Sequence, residues 1–256
     1  VGSKKRKQLA ATVRAIQGKW GVKALRKAEA TPTVPCIPTG FARLDQALTG
    51  IGGIPRGRIT EILGSPTSGM ATLALKIMAK AQDEGDIATY LDLDATFDPD
   101  YADRCGIQVK LLLLVRPQSG PEALEITRTL LEGRSTGLIV FDNVSNLLHT
   151  PADFEVLAAH LRQLLPALTR SQGALIFLIP LHSGGTRSQA NYPSGLALPH
   201  YATLRLLLQR ERWLHQQQDI RGYQAQVVVL KNKLGRAGQS ARIAITFNGT
   251  VRGDGT

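Results

Sequence analysis

The run Gly64-Ser65-Pro66-Thr67-Ser68-Gly69-Met70-Ala71-Thr72, directly after the β-branched stretch 58–63, constrains the fold of this chain more than any other feature. Two glycines five positions apart, between a strand-like and a helix-like segment, give the spacing of a phosphate-binding P-loop, G-x-x-x-x-G-K-[ST]. In such a loop, backbone N–H groups and a helix N-terminus cradle phosphate, a lysine neutralises charge and a hydroxyl holds Mg²⁺. Here Met70 stands where the lysine belongs and Ala71 where the hydroxyl belongs. The scaffold is kept and both chemical groups are gone. Phosphoryl transfer thus lacks two of its main electrostatic aids, so efficient ATP hydrolysis is not expected.

The rest of the chain supplies the sheet that a strand-loop-helix unit requires. Apolar, β-branched runs at 58–63, 87–93, 111–115, 137–142 and 174–180 are separated by helix-period stretches around 70–84, 120–132 and 154–170. This alternation predicts an α/β core: a mostly parallel twisted sheet flanked by helices on both faces. Segments 203–212, 223–232 and 241–248 have no helices between them and are expected as antiparallel strands added at one side. Ahead of the core, Lys4-Lys5-Arg6-Lys7 leads into Leu9, Val13, Ile16 and Trp20, the spacing of one helix face. Gly18 and Gly21 weaken that helix near its end, and Thr31-Pro32-Thr33-Val34-Pro35 predicts an extended linker. The expected organisation is a basic N-terminal helix for subunit packing at 1–30, a linker at 31–37 and a core domain at 38–256.

Charge is concentrated at the two ends. Residues 1–30 carry nine Lys/Arg against one acid (+8), residues 31–199 thirteen against sixteen (−3), and residues 200–256 nine against three (+6), which sum to the net +11. Basic ends of this kind attract phosphate backbones with a salt-dependent affinity. They also suit an ordinary solvated surface. The two cysteines, Cys36 and Cys105, form no C-x-x-C pair, so neither a disulfide framework nor a zinc site is expected; Cys105 is taken as a small buried residue and Cys36 as part of the linker. With no apolar run of the ~20 residues that cross a bilayer and no leader-like start, the expected location is cytoplasmic, with no membrane partner.

Ligands of open α/β sheets bind at the carboxyl ends of the strands. Asp142 ends the run Leu138-Ile139-Val140-Phe141, where a carboxylate holds Mg²⁺ through water or caps the segment that follows. Asp92 and Asp94 end another strand, where a carboxylate can orient water for attack on a γ-phosphate. Asp94 is one methylene shorter than a glutamate, and a base displaced by about an ångström loses much of its advantage. Asp98-Pro99-Asp100-Tyr101 opens a helix, and there Asp98 is either an N-cap or a partner for an adenine amine; Tyr101 is either a packed ring or a stacking face.

Taken together these residues resemble the bacterial RecA recombinase family. The resemblance runs from about residue 4 to the end of the chain. It rests on Ile37-Pro38-Thr39-Gly40 with Leu44-Asp45, Gly52-Gly53-Ile54-Pro55-Arg56-Gly57-Arg58-Ile59, the loop, Leu91-Asp92, Asp98-Pro99 with Tyr101, the Asp142 strand and Val229-Leu230-Lys231-Asn232-Lys233. It implies a filament of RecA-like protomers, self or recombinase, that binds single-stranded DNA in recombination, repair and the SOS response, with ATP held between subunits. By position it implies that Gly64, Ser65, Pro66, Thr67, Ser68, Gly69, Met70, Ala71 and Thr72 face the phosphates. Asp98 and Tyr101 would face the adenine, and Lys231 and Lys233 would reach the neighbour's nucleotide. Residues 4–27 would pack on the adjacent protomer. Two DNA-binding loops would fall near 146–156 and 182–198, with Gly184 and Gly185 giving backbone freedom, Arg187 and Asn191 polar contacts and Tyr192 a stacking ring.

The departures from the family pattern cluster at one site. Besides Met70 and Ala71, the family's catalytic glutamate is Asp94, and the glutamine that senses the γ-phosphate is replaced at Pro180. The first loop looks shortened around residues 149–153, and the chain ends after the core, so the family's C-terminal domain is not expected. Asp94 and Asp142 are accordingly vestigial rather than catalytic, ATP is expected to bind weakly, and Mg²⁺ is not expected to be held. The leading reading is a DNA-binding or filament-joining RecA-like repair protein that has lost turnover. The alternatives are an active strand-exchange recombinase with a substitute cation, and an ImuA-like accessory of a translesion polymerase assembly or a filament regulator without DNA contact.

Overall fold

The structure, a computed structural model, describes residues 2–22, 25, 34–147, 150–181, 197–217, 219–247 and 251–253. The chain divides into two compact units, residues 1–34 and 35–256. In the first, α1 runs over Gly2–Trp20, ending where Gly18 and Gly21 are expected to weaken the helix. Gly21, at φ 87°, returns its N–H to Gln17 O at 2.8 Å and stops the helix in the left-handed turn that glycine makes without strain. None of its residues is buried, with Leu9 62% and Trp20 68% exposed.

The second unit opens with β1 (Cys36–Ile37), α2 (Ala42–Ala47) and β2 (Ile54–Pro55). Cys36 is thus a strand residue and not linker: its thiol donates to Ile51 O at 2.8 Å, and its backbone pairs with Pro55. There follow β3 (Ile59–Gly64), α3 (Met70–Asp83), β4 (Ala88–Asp92), α4 (Pro99–Arg104), β5 (Leu113–Val115), α5 (Gly120–Glu132) and β6 (Leu138–Asp142). The chain closes with α6 (Pro151–Ser171), β7 (Ala174–Pro180), α7 (Leu198–Tyr201), β8 (Leu204–Gln216), β9 (Asp219–Asn232), β10 (Ser240–Phe247) and β11 (Val251–Gly253). One nine-stranded sheet has the order β11-β10-β9-β8-β3-β7-β6-β4-β5. The pairs from β8 to β5 are parallel and those from β8 to β11 antiparallel.

The expected mostly parallel sheet flanked by helices is what forms, with one correction. β8 pairs parallel with β3, Thr60 against Leu204, and is antiparallel only to β9. The connection from β7 to β8, residues 181–203, is long enough to return the chain to the same end of the sheet, whereas β8 and β9 are joined by a tight turn.

Alternation along the strands fills both faces. Ile62, Tyr90, Val140 and Ile176 pack with Leu73, Ile77 and Met78 of α3 on one side. On the other, Ile59, Leu63, Phe141 and Phe177 pack with Leu124 and Leu131 of α5 and Leu161, Leu164 and Leu168 of α6. Phe141 and Phe177 stack with ring centroids 4.6 Å apart. On this second face Glu61 is 0% exposed and meets Arg205 Nε at 2.5 Å across the β3–β8 pair. Among the described residues no helix is long and apolar enough to cross a membrane.

Candidate functional site at the strand ends

The sheet brings the carboxyl ends of β3, β4, β6 and β7 to one edge, and the phosphate loop grows from the middle of it. β3 is buried along its whole length, which fixes the start of the loop at Gly64 in register with Pro180 of β7. A Cβ at Gly64 would strike Ser68 Oγ, so the loop closes back on itself only because this position has no side chain. Ser68 N–H donates to Ser65 O at 3.0 Å, and Gly69, at φ 103°, turns the chain into α3. Thr67 at the apex also has positive φ, 63°. The cradle predicted at residues 64–69, with Met70, Ala71 and Thr72 opening the helix, is therefore built as a strand-loop-helix unit.

What surrounds the cradle was not visible in the motif. A cleft of about 350 Å³ lies over the start of α3, lined by Thr67, Gly69, Met70, Ala71, Thr72, Tyr101, Asp142, Leu178, Arg210, Trp213, Tyr223 and Phe247. That volume is at the small end of the ~300–1,000 Å³ usual for ligand pockets. Trp213 and Tyr223 are register partners on β8 and β9 with an edge-on ring contact at 6.0 Å, and Phe247 of β10 follows at 5.8 Å. Tyr101 Oη and Thr72 Oγ1 are hydrogen-bonded at 2.6 Å, with Tyr223 Oη at 3.4 Å from the same hydroxyl. Burial pushes both phenols above their ordinary range. Arg210 is the one cation among the described residues of this lining. Its Nη1 donates to Thr67 Oγ1 at 3.0 Å, and its guanidinium lies 4.2 Å from the Trp213 ring centroid.

The carboxylates are arranged as follows. Asp92 and Asp142 are register partners at the ends of β4 and β6. Asp92 accepts from Thr96 N–H at 2.9 Å and from Arg116 Nε at 2.9 Å, and so fixes the 93–97 turn. Asp94 accepts from Asn143 Nδ2 at 2.6 Å. Asp142 accepts from the Tyr90 hydroxyl. Burial raises the Asp142 carboxyl above its ordinary value, against the lowering by the Tyr90 bond, and neighbouring Asp94 and Asp92 raise it further. Asn143, not Asp142, caps the turn after β6, taking Ser145 N–H at 3.0 Å. Asp98 is placed as an N-cap: its Oδ1 accepts from Asp100 N–H at 2.9 Å and Tyr101 N–H at 3.1 Å.

Lys231 and Lys233 lie away from this cleft. Lys231 Nζ donates to Pro199 O at 2.5 Å and Lys233 Nζ to His200 O at 3.1 Å, so both ammonium groups hold the end of α7. Burial lowers the Lys231 pKa, and Lys233 and Arg205 lower it further. Gly184, Gly185, Arg187, Asn191 and Tyr192 lie outside the described residues. Of the other expected DNA loop, residues from 151 onward are the first turn of α6, opened by a capping box between Thr150 and Asp153, with Thr150 N–H on Asp153 Oδ2 at 2.7 Å.

Magnesium triphosphate is the ligand the motif implies, and two of the groups that would hold it are missing. Residue 70 offers no ammonium, residue 71 offers no oxygen, and Asp142 already accepts from Tyr90. Sequence reasoning missed Tyr90, Arg210, Trp213, Tyr223, Phe247 and Asn143. A signal existed for Tyr223: it shares a strand face with Ala225, Val227 and Val229, and a phenol in such an apolar row needs a hydrogen-bond partner.

The comparisons with known proteins agree with this architecture. Residues 7–252 match the model of the RecA N-terminal domain. The chain belongs to the RecA family. It is 34% identical over 274 residues to Protein RecA of Herpetosiphon aurantiacus, covering 100% of this chain and 75% of the relative. It is 36% identical over 270 residues to Protein RecA of Chloroflexus aurantiacus, covering 98% and 76%. The crystal structure of the RadB recombinase superposes with a TM-score of 0.64 at 20% identity, covering 82% of this chain and 96% of that one, which speaks for the fold.

Proposed function

We propose that this RecA-family chain is a DNA repair and recombination protein that binds single-stranded DNA and joins filaments of RecA-like protomers without turning over ATP. The observation that carries the loss of turnover is the cleft itself. The loop supplies neither ammonium nor metal-binding hydroxyl, and the strand-end carboxylate is engaged by a tyrosine of its own sheet. Losing one preorganised donor typically costs ~10²–10³ in rate, so the joint loss of lysine, hydroxyl and full-length base leaves little catalysis.

Filament joining is supported by two apolar surfaces in need of cover. α1 has no buried residue. The edge strand β5 exposes Leu113 and Leu114, beside exposed Leu111. An apolar sheet edge of this kind invites another chain. DNA binding is supported by the basic ends of the sequence and by family membership.

A second reading, an active strand-exchange recombinase, is favoured by Arg210, a cation of β8 bonded to Thr67 of the loop. Phosphate release with and without single-stranded DNA decides between the two. The first expects no DNA-stimulated release, and turnover at the rate of intact RecA proteins overturns it. Binding to a labelled oligonucleotide across a salt series should weaken linearly on log axes. An affinity that is absent, or indifferent to salt, removes DNA from the proposal.

A further inference from the structure

The loss of lysine and hydroxyl leaves open whether the cleft is an intact site short of two groups or a site that the chain has filled for itself. The side chains around it bear on that choice. A Cβ placed on Gly69 would come within 2.6 Å of Tyr223 Oη and 3.2 Å of its ring, so the phenol lies against the last residue before α3. The Thr72 hydroxyl, one turn into the cradle, is bonded to Tyr101 and lies within reach of Tyr223. The Asp142 carboxylate is bonded to Tyr90. The Thr72 hydroxyl and the Asp142 carboxylate thus each already have a tyrosine hydroxyl beside them, while the buried Ser68 hydroxyl of the loop has no partner. These rings are not loosely placed: Tyr90 is 3% and Tyr223 6% exposed, and Tyr223 is wedged between Trp213 and Phe247.

We infer that Tyr223 and Tyr90 encroach on the phosphate and metal positions of this cleft, so that the site is obstructed by the chain's own phenols and not merely short of a cation. The inference rests on the functional reading above and locates the cause of lost turnover in β4 and β9 as well as in the loop. The physical reason is that polar groups buried in an apolar lining must be hydrogen-bonded. A phenol satisfies Thr72 or Asp142 without bringing in charge. A phosphate at the start of α3 would have to share the cleft with the Tyr223 ring, which is held beside Trp213 and Phe247. A metal ion at Asp142 would find one carboxylate oxygen already taken by Tyr90. Restoring the motif at residues 70 and 71 is therefore not enough to restore binding.

The test compares the Kd of a fluorescent ATP analogue with Mg²⁺, in the absence of DNA, for four full-length proteins. These are the wild type, Met70→Lys with Ala71→Thr, Tyr90→Phe with Tyr223→Ser, and the four substitutions together. The motif pair alone should stay within about threefold of wild type, while the fourfold variant should bind at least about tenfold tighter than the motif pair. A motif pair that itself gains tenfold or more overturns the inference. So does a fourfold variant that melts cooperatively and binds no better than the pair. Should the fourfold variant fail to fold, nitration of the native wild type with tetranitromethane, mapped by mass spectrometry, takes its place. Tyr90 and Tyr223 should be protected, and ready modification of either refutes the obstruction. DNA-stimulated phosphate release by the wild type would sink the functional reading, a result separate from any of these binding constants.

Discussion

Replacing Arg205 with alanine removes the guanidinium that faces a fully buried carboxylate on the strand that carries the phosphate loop. Glu61 and Arg205 are register partners on β3 and β8, and their side chains are 0% and 20% exposed. Breaking a buried pair by deleting one partner typically costs about 3–5 kcal/mol, because the remaining charge stays desolvated. Arg205 keeps some contact with solvent, so the lower end applies, about 3 kcal/mol, or a Tm fall of roughly 6–12 °C for a unit of this size. Urea unfolding followed by far-UV circular dichroism measures the cost, with the m-value reporting whether the unfolded state has changed. The informative control is Glu61→Leu with Arg205→Met, which removes both charges and should lie within about 1 kcal/mol of wild type. A loss below about 1 kcal/mol for Arg205→Ala, or a double variant as unstable as the single one, refutes the reasoning.

Two further outcomes follow from the burial of titratable groups. Asp142→Asn should stabilise the protein at neutral pH, since the Tyr90 hydroxyl can still donate to the amide oxygen while the buried charge is gone. The folded carboxyl binds its proton more tightly than the ordinary 3.8, so its penalty is absent below that value and grows as pH rises through the raised one. Melting curves from roughly pH 4 to pH 7 should therefore show a downward slope in the wild type that shrinks in the variant, and an unchanged slope refutes the assignment. Neither cysteine should react quickly with a thiol reagent at neutral pH until the protein is unfolded. Burial pushes the Cys105 thiol up to about 11 and raises Cys36 as well. Rapid titration of one thiol in the native state contradicts this.

Much of the architecture could be read directly from the chain. Continuous apolar, β-branched runs placed β3, β4, β6 and β7, which are buried on both faces, and period-3.6 patterns placed α3, α5 and α6, each close to where it forms. The phosphate loop was equally legible, since its turn depends on glycines fixed in sequence, and so was the absence of its lysine and hydroxyl. The direction of β8 was not, because strand polarity depends on where residues 181–203 carry the chain and not on the pattern within the strand.

The character of the cleft belongs to the tertiary structure alone. Tyr223 reaches Thr72 across 151 positions of sequence and Arg205 reaches Glu61 across 144, and no local repeat encodes either contact. The sequence by itself determined the cradle and what it had lost, because those depend on residue types at short fixed spacings. Only the folded sheet decided what fills the space, because it alone brings β4, β8, β9 and β10 against the first turn of α3. Burial there leaves the Thr72 hydroxyl and the Asp142 carboxylate to the tyrosines that the fold has placed beside them.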